Sequence, residues 1–471
     1  MMPQKMSKPS QKVSSATRCK RNSTTLKSIR FIDLFSGIGG IREGFEQAAS
    51  EEGLKAKCVF TSEIKEAALK IHKQNHPEEK IVGDITQVAA NEIPDFDFLL
   101  AGFPCQAFSS AGSRKGFADP RGTLFFDVER ILAEKQPIGF LLENVEGLVN
   151  HDMPKEDERP DECDLPESAK NRSQKIGRTL LTILRRLEVA GYHVEWKVLN
   201  ASDFGVAQNR KRIYIVGTRC TKPNLNDFER KKQKVGDILD HDLPLSDTSF
   251  VKRLLQVFSI DQLPGKSIKD KRGGVGNIHS WDIGFKGETT IRQREILNRM
   301  LTERRKHEYA KEYGIDWMDG MPLTLKMLKR IFKDKNLKKM LDDLVKKRYL
   351  KLEHPKKKLE DGTRVQDDNL PLGYNIVSGK MSFEVNEILD PNGLSPTLVA
   401  MDMQHIYVVD GPGIRPLSHR EGLRLFGYPD EFKFDIDTES GYDLLGNTVV
   451  VPAIKAVAKR LLKAAFKEGK K

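Results

Sequence analysis

A cysteine that directly follows a proline is the first residue of this sequence whose placement suggests chemistry. Cys105 lies in the segment LLAGFPCQAFSSAG, after a run of strand-like apolar residues and before a loop rich in glycine and serine. Structural cysteines usually lie inside a helix or strand as small apolar side chains, whereas Pro104 fixes the backbone of a turn here. This position favours a reactive thiol, provided that other functional groups lie nearby.

Glu143 is the candidate for that neighbouring group. It lies near the end of IGFLLENV, the next strand-like segment along the chain. Open α/β sheets bind ligands at the carboxyl ends of their strands, so we expect the thiol and the carboxyl group in one pocket. A thiolate with a nearby acid can perform covalent catalysis on an electrophilic ring.

The segments around these two residues predict an α/β domain. From residue 30 to about residue 217, short apolar runs alternate with helical periodicities, which indicates βαβ units and a mostly parallel sheet. The first run, FIDLFSGIGG, is a strand followed by a glycine-rich turn and a helix, which predicts a nucleotide-type site. Arg42 occupies the position of the third glycine of the nicotinamide fingerprint, so a dehydrogenase is disfavoured.

Two acidic residues follow later strands of the same pattern. Glu63 ends CVFTSE and Asp84 lies in IVGDIT. Acids at strand ends can bind a ribose and an adenine amine. Taken singly, each is more often a helix cap, so both interpretations stay open here.

Composition limits the function classes. The 471 residues are 38% hydrophobic, which suits two folded domains or one large domain with insertions. No apolar run is long enough to span a membrane, and the first residues lack the apolar core of a signal peptide, so we expect a soluble cytoplasmic protein. The five cysteines are too widely spaced for a disulfide framework or a zinc site, and no metal is expected.

The net charge of +12 is concentrated in one region. Residues 291–360 contain 21 lysines and arginines against 11 acidic residues, an excess of ten. Such an excess favours a surface that binds a polyanion. The alternative is a solvated helical surface. Three helical stretches and a hairpin-like segment lie here, and one interpretation of residues 291–376 is a winged-helix-like insert.

Seven blocks of the sequence together form one pattern, and in chain order they are DLFSGIGG, GFPCQAFS, RGTLFFDVERIL, ENVEGL, QNRKRIYIVG, RPLSHREGLRLFGYP and GNTVVVPA. In these blocks and their order, the chain resembles the DNA (cytosine-5) methyltransferase family, which uses S-adenosylmethionine, in its prokaryotic modification type. The resemblance implies a Rossmann-like methyltransferase domain with a mostly parallel sheet and a smaller target-recognition domain. The expected organisation is a disordered basic leader at 1–29, the catalytic domain at 30–220, the target-recognition domain at 221–410 and a closing segment at 411–471 that returns to the catalytic domain.

The resemblance also implies a mechanism. The enzyme flips a cytosine out of duplex DNA, Cys105 attacks C6, and Glu143 bonds to and protonates N3, so that C5 accepts the methyl group. Arg210 and Arg212 orient the flipped base and its phosphate, and Arg212 is expected to lie closer to the backbone of the fold. Bare thiols have a pKa of about 8.5, so the site must help to form the thiolate.

Further site residues follow from the same family pattern. The expected cofactor residues are Phe35, Gly37, Gly39, Glu63, Ile64, Asp84, Ile85, Pro104, Leu124, Asn447 and Val449. Ile64 departs from the family, which often has an aromatic residue there, so adenine stacking is expected to be weaker. The expected DNA contacts are Ser109 and Arg121 in a glycine-rich loop, and Lys356, Lys357 and Lys358 in the basic region.

Two alternatives remain beside a DNA methyltransferase. A transfer RNA cytosine-5 methyltransferase shares the catalytic blocks, but residues 221–395 contain no cysteine, whereas that branch carries a Cys-Phe-Thr signature there. A catalytically inactive nucleic-acid-binding module would be expected to lose Cys105 or Glu143, and both are present. Double-stranded DNA is therefore the expected partner of a monomeric enzyme, with a restriction endonuclease acting separately and no membrane.

Overall fold

The structure is a computed structural model that describes residues 28–104, 124–158, 160–170, 172, 175–271, 273–274, 276–315, 320–359, 363–377 and 383–466. The chain divides into two compact units, within which only the residues given above are described. Unit 1 comprises Met1–Ile238, Leu394–Met403 and Ser418–Lys471, and unit 2 comprises Leu239–Gly393 and Gln404–Leu417. The domain boundaries expected from the sequence stay a prediction.

Unit 1 begins with alternating strands and helices. These elements are β1 (Ser28–Leu34), α1 (Gly40–Glu51), β2 (Lys55–Ser62), α2 (Glu66–Asn75), β3 (Ile81–Val82), β4 (Phe98–Ala101), α3 (Leu124–Lys135), β5 (Gly139–Val145), α4 (Arg178–Val189), β6 (His193–Asn200) and β7 (Lys211–Thr218).

Within the described ranges these strands form one seven-stranded sheet in the order β3-β2-β1-β4-β5-β7-β6. Strands β1 to β5 pair in parallel, and β7 runs antiparallel to both β5 and β6. The predicted α/β class with a mostly parallel sheet is confirmed. The order also places the carboxyl ends of β3, β2, β1, β4 and β5 side by side along one edge.

The central strands are almost wholly apolar because helices cover both faces of the sheet. All four residues of β4 are buried, and so are the first six of β5. Helix α3 presents a buried face at helical spacing, with Phe125, Val128 and Leu132 in the same core as the strands. Polar residues at the ends of these strands are therefore held on a rigid support.

Unit 2 is built from short elements. These are α5 (Ser249–Val257), β8 (Ser267–Ile268), β9 (Asn277–Ile278), α6 (Ile291–Glu303), α7 (His307–Lys311), α8 (Leu325–Ile331), α9 (Leu337–Lys346), β10 (Leu350–Glu353), β11 (Lys356–Lys358), β12 (Arg364–Gln366), β13 (Gly373–Ile376), β14 (Glu387–Ile388), β15 (Ile406–Asp410) and β16 (Gly413–Pro416). Strands β11 and β12 pair antiparallel, as do β10 and β13.

One predicted helical stretch differs from the structure. The segment that begins at Ile291 reads as a continuous helix, but it forms α6 and α7, which are separated at Arg304–Lys306. The Arg304 side chain is buried and donates a hydrogen bond to Asn375 Oδ1, 2.7 Å away. A tertiary partner of this kind cannot be seen in a local periodicity.

The chain then returns to unit 1 through three helices, α10 (His419–Leu425), α11 (Thr438–Asn447) and α12 (Val451–Phe466). Helix α12 packs on α1 at Gly44, where an added Cβ would lie 2.7 Å from Ile454 and 2.8 Å from the carbonyl oxygen of Val451. Within the described part of the chain, none of the helices combines the length and the apolar character that a bilayer crossing requires.

Candidate active site

The turn between β1 and α1 is tightly constrained. Phe35, Gly37 and Gly39 all have positive φ angles, of 54°, 56° and 83°. Such a conformation is strained in a residue with a Cβ, by about 1 kcal/mol or more, and is often found at binding sites. A Cβ added at Gly37 would meet no atom within 4 Å, so open space lies beside the turn.

Glu63 supports this turn from the end of β2. Its Oε2 accepts a hydrogen bond from the backbone N–H of Gly37 at 2.7 Å. Its Oε1 accepts two more from the N–H groups of Ile64 and Lys65, both at 2.8 Å. The carboxylate thus anchors the glycine turn to the neighbouring strand end, and the Ile64 side chain beside it is 72% exposed.

The next strand end carries Asp84. Its Oδ1 accepts a hydrogen bond from the N–H of Thr86 at 2.9 Å, as a cap of the short helical turn that follows. Ile85 is buried in the core, while Pro104 and Leu124 are half-buried. The sheet order brings the ends of β3, β2, β1 and β4 to one edge, so these predicted cofactor residues share that edge.

The far end of the chain reaches the same turn. A Cβ added at Gly40 would lie 2.4 Å from Tyr428 Oη and 2.8 Å from Val449 Cγ2, so the backbone of α1 approaches these side chains closely. The Asn447 amide donates hydrogen bonds to the carbonyl oxygen and to Oδ1 of Asp443, at 2.8 and 3.1 Å. The structure therefore brings Val449 to the glycine turn, and it orients Asn447 through Asp443.

Asp33 lies inside β1, just before the turn. Its side chain is fully buried, and neither carboxyl oxygen makes a hydrogen bond within the described residues. Burial raises its pKa from 3.8 to about 8, with Arg42 opposing the shift. At neutral pH this side chain is largely protonated.

Glu143 lies at the carboxyl end of β5, beside the segment that leads to Cys105. It is 8% exposed, and its Oε2 lies 3.9 Å from the position that a Cβ on Gly102 would occupy. The next side chain, Asn144, donates a hydrogen bond to the carbonyl oxygen of Phe103 at 3.0 Å. The carboxyl group is therefore fixed next to residues 102–104.

The charge of Glu143 is controlled by burial and by two arginines. Burial raises its pKa, and the positive charges of Arg212 and Arg210 oppose this. Arg212 Nε lies 3.2 Å from Glu143 Oε1. A buried carboxyl group with a raised pKa can keep a proton and donate it to a bound base.

Arg210 has a different environment from Arg212. Its guanidinium is buried and donates to the carbonyl oxygens of Leu398 and Thr448 at 2.7 and 2.8 Å, and it lies over the ring of Phe426. These contacts join the strand entering the sheet to two later segments of unit 1. Arg212 is the arginine at Glu143, and Arg210 bonds to the surrounding backbone, which is the reverse of the placement expected from the family pattern.

The chain is similar to a family of known proteins over nearly its whole length. A family model described as C-5 cytosine-specific DNA methylase matches residues 29–463. The chain is 57% identical over 437 residues to the type II methyltransferase M.NlaIV of Neisseria lactamica, covering 93% of this chain and 99% of that protein. It is 56% identical, with the same coverage, to the type II methyltransferase M.NgoBV of Neisseria gonorrhoeae. It is 40% identical to the type II methyltransferase M.HgiCI of Herpetosiphon aurantiacus, covering 93% and 98%.

The chain belongs to the C-5 cytosine-specific DNA methylase family.

Membership confirms the resemblance read from the seven sequence blocks, and it confirms the predicted enzyme class, a type II DNA cytosine-5 methyltransferase. Three predicted site residues of this methylase, Cys105, Ser109 and Arg121, lie outside the described residues. Lys356, Lys357 and Lys358 form β11 in unit 2, where Lys357 Nζ lies 3.4 Å from Asp367 Oδ2 and Lys358 pairs across the hairpin with Arg364. The roles of these residues in the methylase stay predictions.

Sequence reasoning overlooked two polar contacts in the methylase site. Asn144 follows Glu143 directly, and an amide at a strand end beside a candidate acid is a signal that could have identified it. The other is a hydrogen bond of 2.8 Å between Ser36 Oγ and His72 Nε2. These partners are 36 residues apart, and no local pattern links them.

Proposed function

We propose that this methylase transfers a methyl group from S-adenosylmethionine to C5 of a flipped-out cytosine in a specific duplex DNA sequence, through a covalent bond between Cys105 and C6. The observation that carries the proposal is the fixed position of Glu143. Its carboxyl group lies against Gly102, and Asn144 is bonded to Phe103, two residues before the cysteine. An acid is thus held beside the segment that carries the nucleophile.

The residues of this chain perform the following steps. The Cys105 thiolate adds to C6, while Glu143 gives its proton to N3, so that electron density moves to C5. After C5 has gained the methyl group, its proton leaves to a base, the thiolate is eliminated, and N3 returns its proton to Glu143. The raised pKa of Glu143 suits a group that must begin this cycle protonated.

Arg212 complements Glu143 in this proposal. Its guanidinium lies in ion-pair range of the carboxyl group and is mostly enclosed. A guanidinium has several donors, so Arg212 can bond to a base oxygen while it remains near Glu143. Arg210 acts on the site indirectly, through the backbone segments that it joins.

The residues at the other strand ends fit S-adenosylmethionine. The glycine turn has open space at Gly37, and Glu63 and Asp84 offer carboxylate oxygens suited to hydroxyl and amine groups. Phe35, Gly39, Ile64, Ile85, Pro104, Leu124, Asn447 and Val449 complete the set of residues proposed to hold it. When bound, the cofactor supplies an electrophilic methyl group on a positively charged sulfur.

Duplex DNA containing 5-fluorocytosine tests the covalent step, because fluorine at C5 cannot leave as a proton. We expect wild-type enzyme to form a trapped adduct that peptide mass spectrometry locates at Cys105. Cys105→Ser should form no adduct and no 5-methylcytosine, because a hydroxyl is a much weaker nucleophile near neutral pH. Cys163→Ser is the matched control, because Cys163 is a free and exposed thiol, and it should keep full activity. An adduct at another residue would overturn the assignment of Cys105.

The remaining parts of the proposal concern the partner and the location. The enzyme acts as a monomer on double-stranded DNA in the bacterial cytoplasm, and a restriction endonuclease acts separately on the same sequence. Bisulfite sequencing of DNA from cells that express the protein reports both the activity and the recognised sequence. Methylation of transfer RNA, with duplex DNA left unmodified, would support the alternative substrate.

A further inference from the structure

The glycine turn is held by two side chains from outside it. Glu63 accepts a hydrogen bond from the N–H of Gly37, as described above. On the other side, Ser36 Oγ and His72 Nε2 are 2.8 Å apart, and both residues are buried. His72 belongs to α2, so this bond ties the turn after β1 to a separate helix.

The turn needs such support because its backbone is strained. Phe35 directly precedes Ser36 and has a φ of 54°, a value that costs free energy in any residue with a Cβ. Strained residues of this kind persist only where the surrounding structure determines their conformation. A bond to Ser36 acts on the residue next to the strained one.

The His72 ring also contacts the turn at a second point. A Cβ added at Gly39 would lie 3.6 Å from His72 Cε1, so the ring packs beneath the last part of the turn. Its Nδ1 is buried and makes no hydrogen bond within the described residues. The only polar contact of the ring in those residues is therefore directed at Ser36.

His72 is neutral in this environment. Its pKa is lowered from 6.5 to about 4, mainly by burial and also by the charges of His76 and Arg42, while Glu63 and Glu79 oppose the shift. A neutral imidazole has one nitrogen that donates and one that accepts. The ring can therefore pair with the Ser36 hydroxyl without introducing a charge below the turn.

We propose that His72 is a positioning residue for the cofactor turn, which acts through Ser36 to hold Phe35 and Gly37 in the shape that binds S-adenosylmethionine. This inference rests on the proposed function, in which that turn binds the cofactor. It adds a residue of α2 that neither the family blocks nor the strand ends assign to the site.

A double-mutant cycle on cofactor affinity tests the proposal. The dissociation constants of S-adenosylmethionine and S-adenosylhomocysteine are measured by titration calorimetry for wild type, His72→Ala, Ser36→Ala and the double variant. Each single variant should weaken binding by about fivefold, the effect of removing one hydrogen bond. The double variant should bind no more weakly than His72→Ala alone, because Ser36→Ala then removes no further bond.

Two further variants separate positioning from general destabilisation. His72→Gln places an amide near the position of Nε2 and should restore most of the affinity. His76→Ala removes the half-buried histidine that directly follows α2, whose ring lies 6.0 Å from that of His72, and should leave the affinity unchanged. Circular dichroism and the melting temperature establish that each variant is folded at the assay temperature. If His72→Ala is unfolded, the affinity of Ser36→Ala decides the test.

The outcomes are distinguishable. Folded His72→Ala or Ser36→Ala that binds both ligands within twofold of wild type overturns the inference alone. If the affinity losses of the two single variants add up in the double variant, His72 does not act on the turn through Ser36. Wild-type protein that binds neither ligand overturns the proposed function, and the inference falls with it.

Discussion

Arg212 and Glu143 lie close together without forming a hydrogen bond. Arg212 Nε lies 3.2 Å from Glu143 Oε1, yet that oxygen makes no hydrogen bond within the described residues. The two groups are close but not aligned for donation. Oε1 therefore keeps its capacity to carry or accept a proton, and the arginine still stabilises negative charge on the carboxyl group.

Replacing Glu143 by Gln removes this proton while keeping the shape of the side chain. We expect turnover to fall by roughly 10²- to 10⁴-fold, the usual effect of losing general acid catalysis, with a much smaller change in DNA affinity. Steady-state methylation and DNA-binding assays measure the two quantities. Glu146→Gln is the control, because Glu146 is exposed three residues later and should have little effect. Unchanged turnover in Glu143→Gln would show that another group activates N3.

Replacing Arg212 by Gln should change the pH dependence of turnover. The positive charge of Arg212 lowers the pKa of Glu143, in opposition to burial, so its removal should raise that pKa further. Because Glu143 acts while protonated, the alkaline limb of the pH–rate profile should move to higher pH, although the maximal rate falls. Arg212→Lys retains the charge and should keep the limb near its wild-type position. A shift to lower pH would contradict the proposed electrostatic role.

Asp33 should make the stability of the enzyme depend on pH. Its pKa is raised by burial from 3.8 to about 8, so between these values the folded state binds more protons than the unfolded state. The protonated Asp33 contributes its full free energy to the folded state below pH 3.8, and this contribution is lost as the pH rises through about 8. Asp33→Asn mimics the protonated form, so its melting temperature should exceed that of wild type by a margin that grows between about pH 4 and pH 8 and is nearly constant above that.

A matched control for this experiment is Asp95→Asn. Asp95 is well exposed and forms a surface ion pair with Lys135, so the difference from wild type should stay nearly constant across the same pH range. A constant difference for Asp33→Asn as well would mean that its carboxyl group is charged in the folded protein.

The hairpin of β11 and β12 is predicted to bind DNA phosphates. Lys358 lies directly opposite Arg364, so the hairpin brings basic side chains from both of its strands together. Replacing Lys356, Lys357 and Lys358 by Gln should weaken binding to target and non-target duplexes by similar factors. The slope of log affinity against log salt should fall by about 0.9 for each DNA phosphate that the variant no longer neutralises.

The control for the hairpin removes lysines from another surface. Lys55 and Lys57 are exposed at the start of β2, at the amino end of the strand, away from the candidate site. Their replacement by Gln should leave the salt slope unchanged. A wild-type slope for the triple variant would show that the lysines of β11 form a solvated surface.

Local sequence patterns were sufficient to place Glu143 but not its supporting contacts. IGFLLENV is apolar until its last residues, so the sequence predicts a buried strand. It also predicts that Glu143, near the end of this strand, lies at the edge of the sheet. The bond from Asn144 to Phe103 and the bond between Ser36 and His72 join distant segments, and they exist only once the sheet has formed. The interruption between α6 and α7 escaped prediction for the same reason, because the hydrogen bond of Arg304 to Asn375 spans 71 residues.

The packing of α12 on α1 also constrains how the protein is made. Helix α1 is synthesised early, but the surface around Gly44 is covered by Val451 and Ile454, which leave the ribosome about 400 residues later. At about 5–20 residues per second, this delay is roughly 20–80 s. During that time the nascent chain exposes the apolar face of α1 that α12 covers in the described part of the folded chain. Newly made enzyme is therefore expected to depend on chaperones, and loss of α12 should yield aggregated protein.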